Sequence, residues 1–426
     1  MDALKAYISP RMLALGAIGF ASGLPMLLSE STLAQWMTDI KVEKETIGLL
    51  QLVTLPYVLK ALWSPLMDRY RVPLLGPRRG WLLVTQLLLI AAIVGLALTG
   101  QAGRVGSIAV AAVIVAVLSA SQDIVADGYR TDLLQPAERG IGAAVFVTGY
   151  RLAMLATGMG ASVLVGQGIV TWSQAYLLMA AVMGIGVIGT LMAQEPAIQP
   201  AQPQSLLSAS WSPVRELLLR RDGWIVLLFV ALFKLPDAMA AAMTVPFLRE
   251  IGVTNTQLGL YRNGLGMGMT ILGAVVGGIV VARLPLRPSL WLFGILQAVS
   301  NAGFLLLTMT GAKTAVLIGV LMVENFCAGL FVAGFFAFLM SQCHPQYSVT
   351  QYAILSSVMV IGPKLMGAWT GYLAVALGWA GFFLLTIAAA VPALLLLPWI
   401  TPRRDLGSAE ARGFEVAPTQ DAPAPA

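Results

Sequence analysis

The sequence predicts an all-α polytopic membrane protein with twelve transmembrane helices in two six-helix halves. Of its 426 residues, 58% are hydrophobic and 11% are charged, and the mean hydropathy is +0.82. A soluble domain carries about 25% charged residues, so this composition excludes a soluble enzyme, a disordered chain and a fibrous protein. Long apolar runs recur along the whole chain, whereas a β-barrel would show short segments of alternating polarity. The lipid bilayer is therefore the first expected partner.

The apolar runs define twelve predicted transmembrane segments, numbered here spans 1 to 12. Their predicted limits are 11–37, 45–66, 80–99, 106–127, 140–166, 172–193, 223–247, 257–282, 288–309, 314–340, 349–374 and 378–399. A segment rich in Pro, Gln and Ser follows span 6, and a polar Ala/Pro-rich tail follows span 12. We therefore expect an N-terminal six-helix half (1–193), a cytoplasmic linker (194–222), a C-terminal six-helix half (223–401) and a disordered cytoplasmic tail (402–426).

The distribution of basic residues predicts the orientation. If both termini are cytoplasmic, most Lys and Arg residues fall in cytoplasmic loops and tails, and few fall in outer loops. Membrane proteins keep such an excess in their short cytoplasmic loops. The net charge of +6 then reflects orientation, and we expect no nucleic acid partner.

The two halves resemble each other at an offset of 211 residues. Leu24-Pro25 falls on Leu235-Pro236, and Gln86 falls on Gln297, without a gap. Two six-helix halves related by an axis along the membrane normal describe the major facilitator fold.

Five cations and five carboxylates lie inside the predicted spans, where a charge costs about 2.5–3.5 kcal/mol on insertion scales. Each is therefore a candidate functional residue. The charges can pair internally and fix helix packing, or the cations can bind an anionic substrate while the carboxylates relay protons. The cations are Lys60, Arg151, Lys234, Arg262 and Lys364, and the carboxylates are Glu30, Asp123, Asp127, Asp237 and Glu324.

Two proline elements are predicted to bend spans 1 and 7. Pro236 lies within Lys234-Leu235-Pro236-Asp237, and its repeat mate Pro25 follows Gly23 at the same depth. Proline can break a helix, and a broken helix beside charged groups marks a midplane binding site in many transporters. A simple packing kink is the alternative. We expect three pairs of small residues to be helix contacts, namely Gly19/Gly23, Gly264/Gly268 and Gly367/Gly371.

The end of span 4 carries Asp123 and Asp127, which are four residues apart and share a helix face. Arg130 is placed to pair with Asp127. The two carboxylates can carry a proton, or they can form a charge lock at the cytoplasmic end. An intramembrane aspartyl protease would place its two carboxylates on different helices, and the Gly-x-Gly-Asp motif is absent.

The loop between spans 2 and 3 contains Asp68-Arg69, followed by Gly76 and Arg78-Arg79. An acidic residue followed by basic ones resembles the loop signature of the major facilitators, which implies a lock between helix ends and no substrate contact. Lys60, near the inner end of span 2, is a further candidate for a gate. The predicted gating residues are Lys60, Asp68, Arg69, Gly23, Pro25 and Pro236.

Several classes of chemistry lack their residues in this sequence. One histidine and two cysteines are too few for the usual metal sites, and motifs for ATP binding or a serine nucleophile are absent. We therefore predict a protein that is not an enzyme and has no metal or cofactor. Aromatic faces suit sugar rings, although most aromatic residues pack or anchor helices; the candidates are Tyr57, Tyr150 and Trp369.

Several motifs resemble those of the AmpG-type muropeptide permeases. In the first half these are Gly19-Phe20-Ala21-Ser22-Gly23-Leu24-Pro25, Leu55-Pro56-Tyr57-x-x-Lys60-x-x-Trp63-x-Pro65-x-x-Asp68-Arg69, Ser119-Ala120-Ser121-Gln122-Asp123-Ile124, Glu138-Arg139-Gly140 and Gly149-Tyr150-Arg151-Leu152-Ala153. In the second half, Lys234-x-Pro236-Asp237 also fits. The eukaryotic acetyl-CoA transporters are relatives that share the Gln-Asp-Ile feature of span 4. Some family members carry two extra spans that we do not find here.

The resemblance implies a proton-driven importer in the bacterial inner membrane. Its substrate would be N-acetylglucosaminyl-1,6-anhydro-N-acetylmuramic acid, with or without the stem peptide, and in bacteria with an inducible β-lactamase such import feeds the signal for its expression. We expect a monomer that works by alternating access. The substrate would be bound by Arg151, Lys234, Lys364, Arg262, Tyr57, Tyr150 and Trp369, and the proton would be carried by Asp123, Asp127, Asp237 or Glu324.

Three other functions fit parts of the same pattern. A facilitator for another organic anion, such as an acyl-CoA, a siderophore or a drug, would use the same charges. A membrane-embedded enzyme acting on wall lipids is disfavoured by the single histidine and the missing nucleophile motif. A non-transporting sensor would bind a muropeptide without moving it.

Overall fold

The computed structural model describes residues 8–42, 51–72, 75–101, 105–196, 206–254 and 257–400, and these form helices and turns with no β-strand among them. Ten described helices are long and apolar enough to cross a membrane, and a shorter apolar helix, Leu52–Leu62, lies within predicted span 2. The ten are Pro10–Asp39, Pro77–Gly100, Val105–Leu133, Pro136–Gly166, Trp172–Met192, Gly223–Glu250, Leu260–Arg283, Leu286–Thr310, Thr314–Gln342 and Trp369–Trp399. The chain is thus a multi-pass membrane protein.

A kink lies between predicted spans 11 and 12. One helical stretch, Ser348–Ala388, runs through both, but Gly378 within it has φ 64° and ψ 170°. This backbone conformation suits glycine because glycine has no Cβ, and it divides the stretch into two helices. The break coincides with the predicted boundary between the two spans, so the helices are consistent with twelve spans.

Span 7 is broken at the predicted place, whereas span 1 is broken later than predicted. Lys234 separates the helices Gly223–Phe233 and Leu235–Glu250. The first helix of span 1, Pro10–Leu28, continues through Pro25, and the second, Ser31–Asp39, begins after Ser29 and Glu30. The Ser29 hydroxyl donates to the carbonyl oxygens of Pro25 and Met26, at 3.2 and 3.0 Å, and so satisfies acceptors at the end of the interrupted helix.

Close helix packing within each half depends on glycines that face a neighbouring backbone. A Cβ on Gly19 or Gly23 would collide with the carbonyl of Phe146 or Tyr150 in span 5, which confirms this predicted pair as a helix contact. The Gly268 and Gly371 contacts are wrong, because a Cβ at either position would have no atom within 4 Å. In span 8 the close contact lies further along the helix and meets span 10, through Gly273, Gly277 and Gly329. The surroundings of Gly367, the partner of Gly371 in the predicted pair, lie outside the described part of the structure.

The halves meet along spans 2, 4 and 5 of the first and spans 8, 10 and 11 of the second. Gly140 at the start of span 5 is close to span 8, where a Cβ would come within 2.8 Å of the Gly278 carbonyl oxygen. Short π-helical segments interrupt span 5 at Ala156–Gly160 and precede the main helix of span 8 at Leu258–Leu265. Such segments are often found at functional sites.

The two halves are connected by a helix that is too short to span a membrane. This linker helix, Leu206–Leu219, lies against the inner ends of spans 2, 7 and 11. We use "inner end" for the end of the bundle formed by the span 2–3, 4–5 and 10–11 loops.

Candidate functional site

The break in span 7 places two opposite charges beside a cation of the other half. Lys234 lies at the break, and Asp237 lies in the first turn of the helix that follows. Both are partly buried and both interact electrostatically with Arg151 of span 5. The fold therefore brings together three residues that the sequence places about 80 positions apart, at a point where the halves face each other.

A second group of polar residues continues from Asp237 into spans 8 and 10. Glu324 of span 10 interacts electrostatically with Asp237 and with Arg262, which lies in the π-helical segment of span 8. The Asn325 amide donates to the Glu324 carboxylate at 2.9 Å and orients it. All three predicted charges are thus in one electrostatic network.

Two amide side chains that support this network were not predicted as site residues. The Thr270 hydroxyl donates to the Asn325 carbonyl at 3.1 Å, and the Gln297 amide donates to Asp237 at 3.3 Å. Gln297 matches Gln86 in the sequence repeat, and Gln86 is likewise buried and accepts from Thr190 at 2.9 Å. The repetition of a glutamine in both halves was the sequence signal that could have identified Gln297, but the sequence did not show which carboxylate Gln297 would contact.

The first half holds its own charged group around Asp123. Lys60 interacts electrostatically with Asp123 and lies 3.3 Å from Asp127, measured from Nζ to Oδ2. Only 10% of the Lys60 side chain and 11% of the Asp127 side chain are exposed. Tyr57 and Tyr150 also interact with Asp123. Residues predicted for substrate binding (Tyr57, Tyr150), for proton transfer (Asp123, Asp127) and for gating (Lys60) therefore form a single cluster.

Arg130 connects this cluster to the other half. It pairs with Asp127 at 2.8 Å, as its sequence spacing predicts, and its guanidinium is almost completely buried. Aromatic rings from three further helices surround it: Phe146 of span 5 at 4.5 Å, Phe336 of span 10 at 5.0 Å and Tyr352 of span 11 at 4.9 Å. A desolvated cation over aromatic faces is attracted by about 2 kcal/mol. The aromatic contacts to Arg130 could not be read from the sequence because they come from distant segments.

A second connection at the inner end is centred on Arg78. Its guanidinium binds Asp68 at 3.1 Å and Asp132 at 2.8 Å, and all three side chains are buried. Arg78 also donates to the Ser348 hydroxyl of the second half at 3.1 Å. Asp68 accepts from the Thr350 backbone N–H at 3.0 Å and from its hydroxyl at 2.6 Å. Asp68 and Arg78 of the first half are thus bonded to the start of span 11, and Asp132 pairs with Arg78 within the first half.

The chain around Arg78 is shaped to place its guanidinium there. Gly76 has φ 97°, and a Cβ on it would collide with the Glu195 side chain. The Glu195 carboxylate accepts from the backbone N–H groups of Arg78 and Arg79 at 2.8 and 3.0 Å. An anion at a helix N-terminus satisfies free donors and the helix dipole, so Glu195 fixes the start of span 3.

Four predicted residues remain, namely Arg69, Trp369, Glu30 and Lys364. The Arg69 guanidinium lies over the Tyr70 ring at 5.7 Å. Trp369 is 63% exposed and stands next to Tyr372, with ring centroids 6.1 Å apart. Glu30 lies at the break of span 1 and interacts with Tyr57. The side chain of Lys364 lies outside the described residues.

Comparison with known proteins identifies similar sequences over most of the chain. The Major Facilitator Superfamily model matches residues 12–363. The anhydromuropeptide permease of Escherichia coli K12 is 42% identical over 395 residues, which cover 92% of this chain and 80% of that protein. A Rickettsia conorii protein named as transporter AmpG 4 is 29% identical and covers 95% of this chain and 99% of its own length.

Solved structures with low sequence identity share the fold. The transporter FucP in its outward conformation superposes with a TM-score of 0.72 at 13% identity, covering 92% of this chain and 99% of its own. The proton:xylose symporter XylE superposes with a TM-score of 0.68 at 12% identity, covering 93% and 96%. The predicted major facilitator fold is thereby confirmed.

Proposed function

The chain belongs to the Major Facilitator Superfamily and, within it, to the family of the anhydromuropeptide permeases, and we propose that it imports cell-wall breakdown products across the bacterial inner membrane by proton-coupled alternating access. The substrate class is N-acetylglucosaminyl-1,6-anhydro-N-acetylmuramic acid and its peptides. The 42% identity to the Escherichia coli permease over 92% of this chain carries the proposal. It acts as a transporter and not as an enzyme.

The cations at the boundary between the halves support an anionic substrate. Arg151 and Lys234 come from opposite halves, and together with Arg262 they carry three positive charges against the two carboxylates of Asp237 and Glu324. This leaves positive charge for the carboxylates of the muramic acid and its peptide, in a location that both halves can reach. Further contacts are assigned to Arg262, Lys364, Tyr57, Tyr150 and Trp369. The two tyrosines are the aromatic candidates nearest to the charged cluster of span 4.

The carboxylates in the spans support proton coupling. Asp123 interacts electrostatically with Lys60, Lys60 binds Asp127, and Asp127 binds Arg130. The aromatic rings that surround Arg130 belong to both halves. Protonation of Asp123 would remove one carboxylate partner of Lys60 and strengthen the attraction between Lys60 and Asp127. A proton taken up at Asp123 would therefore weaken the pairing of Asp127 with Arg130. Asp127, Asp237 and Glu324 are the other candidate carriers.

The contacts at the inner end support a role as a gate. Asp68, Arg78 and Arg130 bind span 11 across the boundary, and these bonds must break before a substrate can leave on that side. Lys60, Asp68, Arg69 and the bends near Gly23, Pro25 and Pro236 form the proposed gating set. The halves that move are 1–193 and 223–401, with the 194–222 linker, the 402–426 tail and both termini in the cytoplasm of a monomer.

Uptake of labelled anhydromuropeptide into proteoliposomes tests the proposal. We expect uptake to rise when the interior is made alkaline and to fall when a protonophore removes the gradient. Unlabelled muropeptide should compete and an acyl-CoA should not. No uptake by folded protein, or competition by acyl-CoA alone, would contradict the substrate assignment and leave the fold unaffected.

A further inference from the structure

The linker helix has an exposed face that the transport mechanism does not use. Trp211, Arg215 and Leu219 are spaced four residues apart and therefore lie on one side of the helix. All three are exposed, Trp211 by 60% and Leu219 by 71%. Arg221, just after the helix, is exposed as well. A tryptophan, an arginine and a leucine thus share one exposed face of the linker helix, and a second exposed arginine follows at its end.

The opposite face of the same helix is fixed to the bundle. Pro213 and Leu217 are buried. Gln351 of span 11 donates to the Pro213 carbonyl at 3.2 Å and also to the Glu216 carboxylate. The rotation of the linker helix about its axis is therefore set by its packing, and Trp211, Arg215 and Leu219 are held away from the protein.

The linker helix also lies next to the point where a spanning helix begins. Asp222 precedes the first helix of span 7, which starts at Gly223, and Trp224 in its first turn is 68% exposed. Arg220 pairs with Asp222 and is used in that contact. Exposed tryptophans on both sides of the exposed arginines match the level of lipid headgroups, where aromatic rings are enriched and basic residues meet anionic lipids.

We propose that the linker helix lies on the cytoplasmic leaflet and binds the headgroups of anionic phospholipids through Arg215 and Arg221, with Trp211 and Leu219 facing the acyl chains. The proposal rests on the orientation proposed above and needs no substrate. Charge complementarity selects the occupant, because two exposed guanidiniums next to apolar side chains fit a negatively charged bilayer surface. Since Gln351 ties the same helix to span 11, bound lipid also stabilises the closed inner end.

Thermal unfolding of the purified full-length protein in detergent tests this contact. We expect phosphatidylglycerol to raise Tm, and phosphatidylcholine and inorganic phosphate to raise it much less. The double variant Arg215→Gln/Arg221→Gln should lose most of the phosphatidylglycerol shift. Arg249→Gln should keep the shift, because Arg249 is an exposed arginine at the opposite end of span 7.

Specific outcomes would overturn the proposal. An unchanged phosphatidylglycerol shift in the double variant would exclude these arginines, and an equal shift with inorganic phosphate would indicate a free-anion site. An equal shift with phosphatidylcholine would indicate a contact without charge selectivity. If the double variant does not fold, Arg221→Gln and Trp211→Ala serve singly, and each should reduce the shift. The assay contains no muropeptide, so its failure is distinguishable from failure of the import proposal.

Discussion

The guanidinium carbon of Arg130 lies 4.9 Å from the centre of the Tyr352 ring, across the boundary between the two halves of the protein. Arg130 also donates a hydrogen bond to the Tyr352 hydroxyl. On its other side Arg130 is paired with Asp127, which holds Lys60. This single contact therefore connects the charged residues of span 4 to the element that must move when the inner end opens.

Tyr352→Ala should open the inner end. The substitution removes a cation–π contact of about 2 kcal/mol, which alone corresponds to a roughly 30-fold gain in the population of the open state, and it also removes the hydrogen bond. Cys343 is buried at the end of span 10 and provides a native reporter. We expect faster labelling of Cys343 by a thiol reagent from the inner side, with Cys343→Ser as the control for labelling at Cys327. Tyr352→Phe keeps the ring and should have a smaller effect. Equal rates of Cys343 labelling in the unmodified protein, Tyr352→Ala and Tyr352→Phe would refute a role of this contact in closing the inner end.

Thr350→Val should weaken the same closed state through a different bond. It removes the 2.6 Å hydrogen bond from the Thr350 hydroxyl to Asp68 but leaves the pair between Asp68 and Arg78 intact. A hydrogen bond to a charged group contributes about 1.5–3 kcal/mol, so Cys343 labelling should accelerate by roughly tenfold or more. Thr308→Val is the matched control, because its hydroxyl donates within span 9, to the Leu305 carbonyl. Labelling of Thr350→Val at the rate of the control would mean that this bond does not hold the gate.

Lys234→Ala and Arg151→Ala should each reduce muropeptide uptake more than expression. Each removes one cation from the partly buried group around Asp237, and with it a positive charge that the proposal assigns to the carboxylates of the substrate. We expect uptake per folded molecule to fall by at least about tenfold for a lost charge-assisted contact, while Lys234→Arg retains part of it. Folding is measured by size-exclusion chromatography. Near-normal uptake in both alanine variants would remove these residues from the substrate site.

Asp123→Asn should uncouple uptake from the proton gradient. The amide cannot take up a proton, so stimulation by an alkaline interior should disappear while exchange of labelled for unlabelled substrate continues. Glu250→Gln, at an exposed carboxylate at the end of span 7, is the control and should keep the stimulation. Asp237→Asn and Glu324→Gln are measured in parallel. If the pH gradient still stimulates uptake by Asp123→Asn but not by one of the other two variants, the proton carrier is the residue replaced in that variant.

Gly23→Ala should destabilise the first half. The added methyl group would collide with the Tyr150 backbone, and overpacking of this kind costs about 1–3 kcal/mol. Gly268→Ala is the matched control, because its Cβ would enter open space. We expect a lower Tm for Gly23→Ala and an unchanged or higher Tm for Gly268→Ala. Equal Tm values would show that span 1 can move away from span 5 without cost.

Periodicity and composition were sufficient for the properties that depend on local sequence. Hydrophobic length predicted spans with which the ten long apolar helices of the described residues are consistent, because a helix must cover the bilayer core wherever it lies in the fold. The break at Lys234 followed from Pro236, since a missing N–H acts on its own helix. The pair of Asp127 with Arg130 followed from a spacing of three residues on one helix.

The contacts between helices were decided by the tertiary structure alone. Glycine spacing identified the face of span 1 that meets span 5 but failed for Gly268, because spacing does not say which side of a helix has a neighbour. The contact of Arg130 with the Tyr352 ring and the bonds from Arg78 to Ser348 and from Asp68 to Thr350 join segments more than 200 residues apart. The sequence by itself determined a multi-pass membrane transporter with costly charges inside its spans. Only packing, which brings distant helices to within a hydrogen bond of each other, decided which charges face one another and which end is closed.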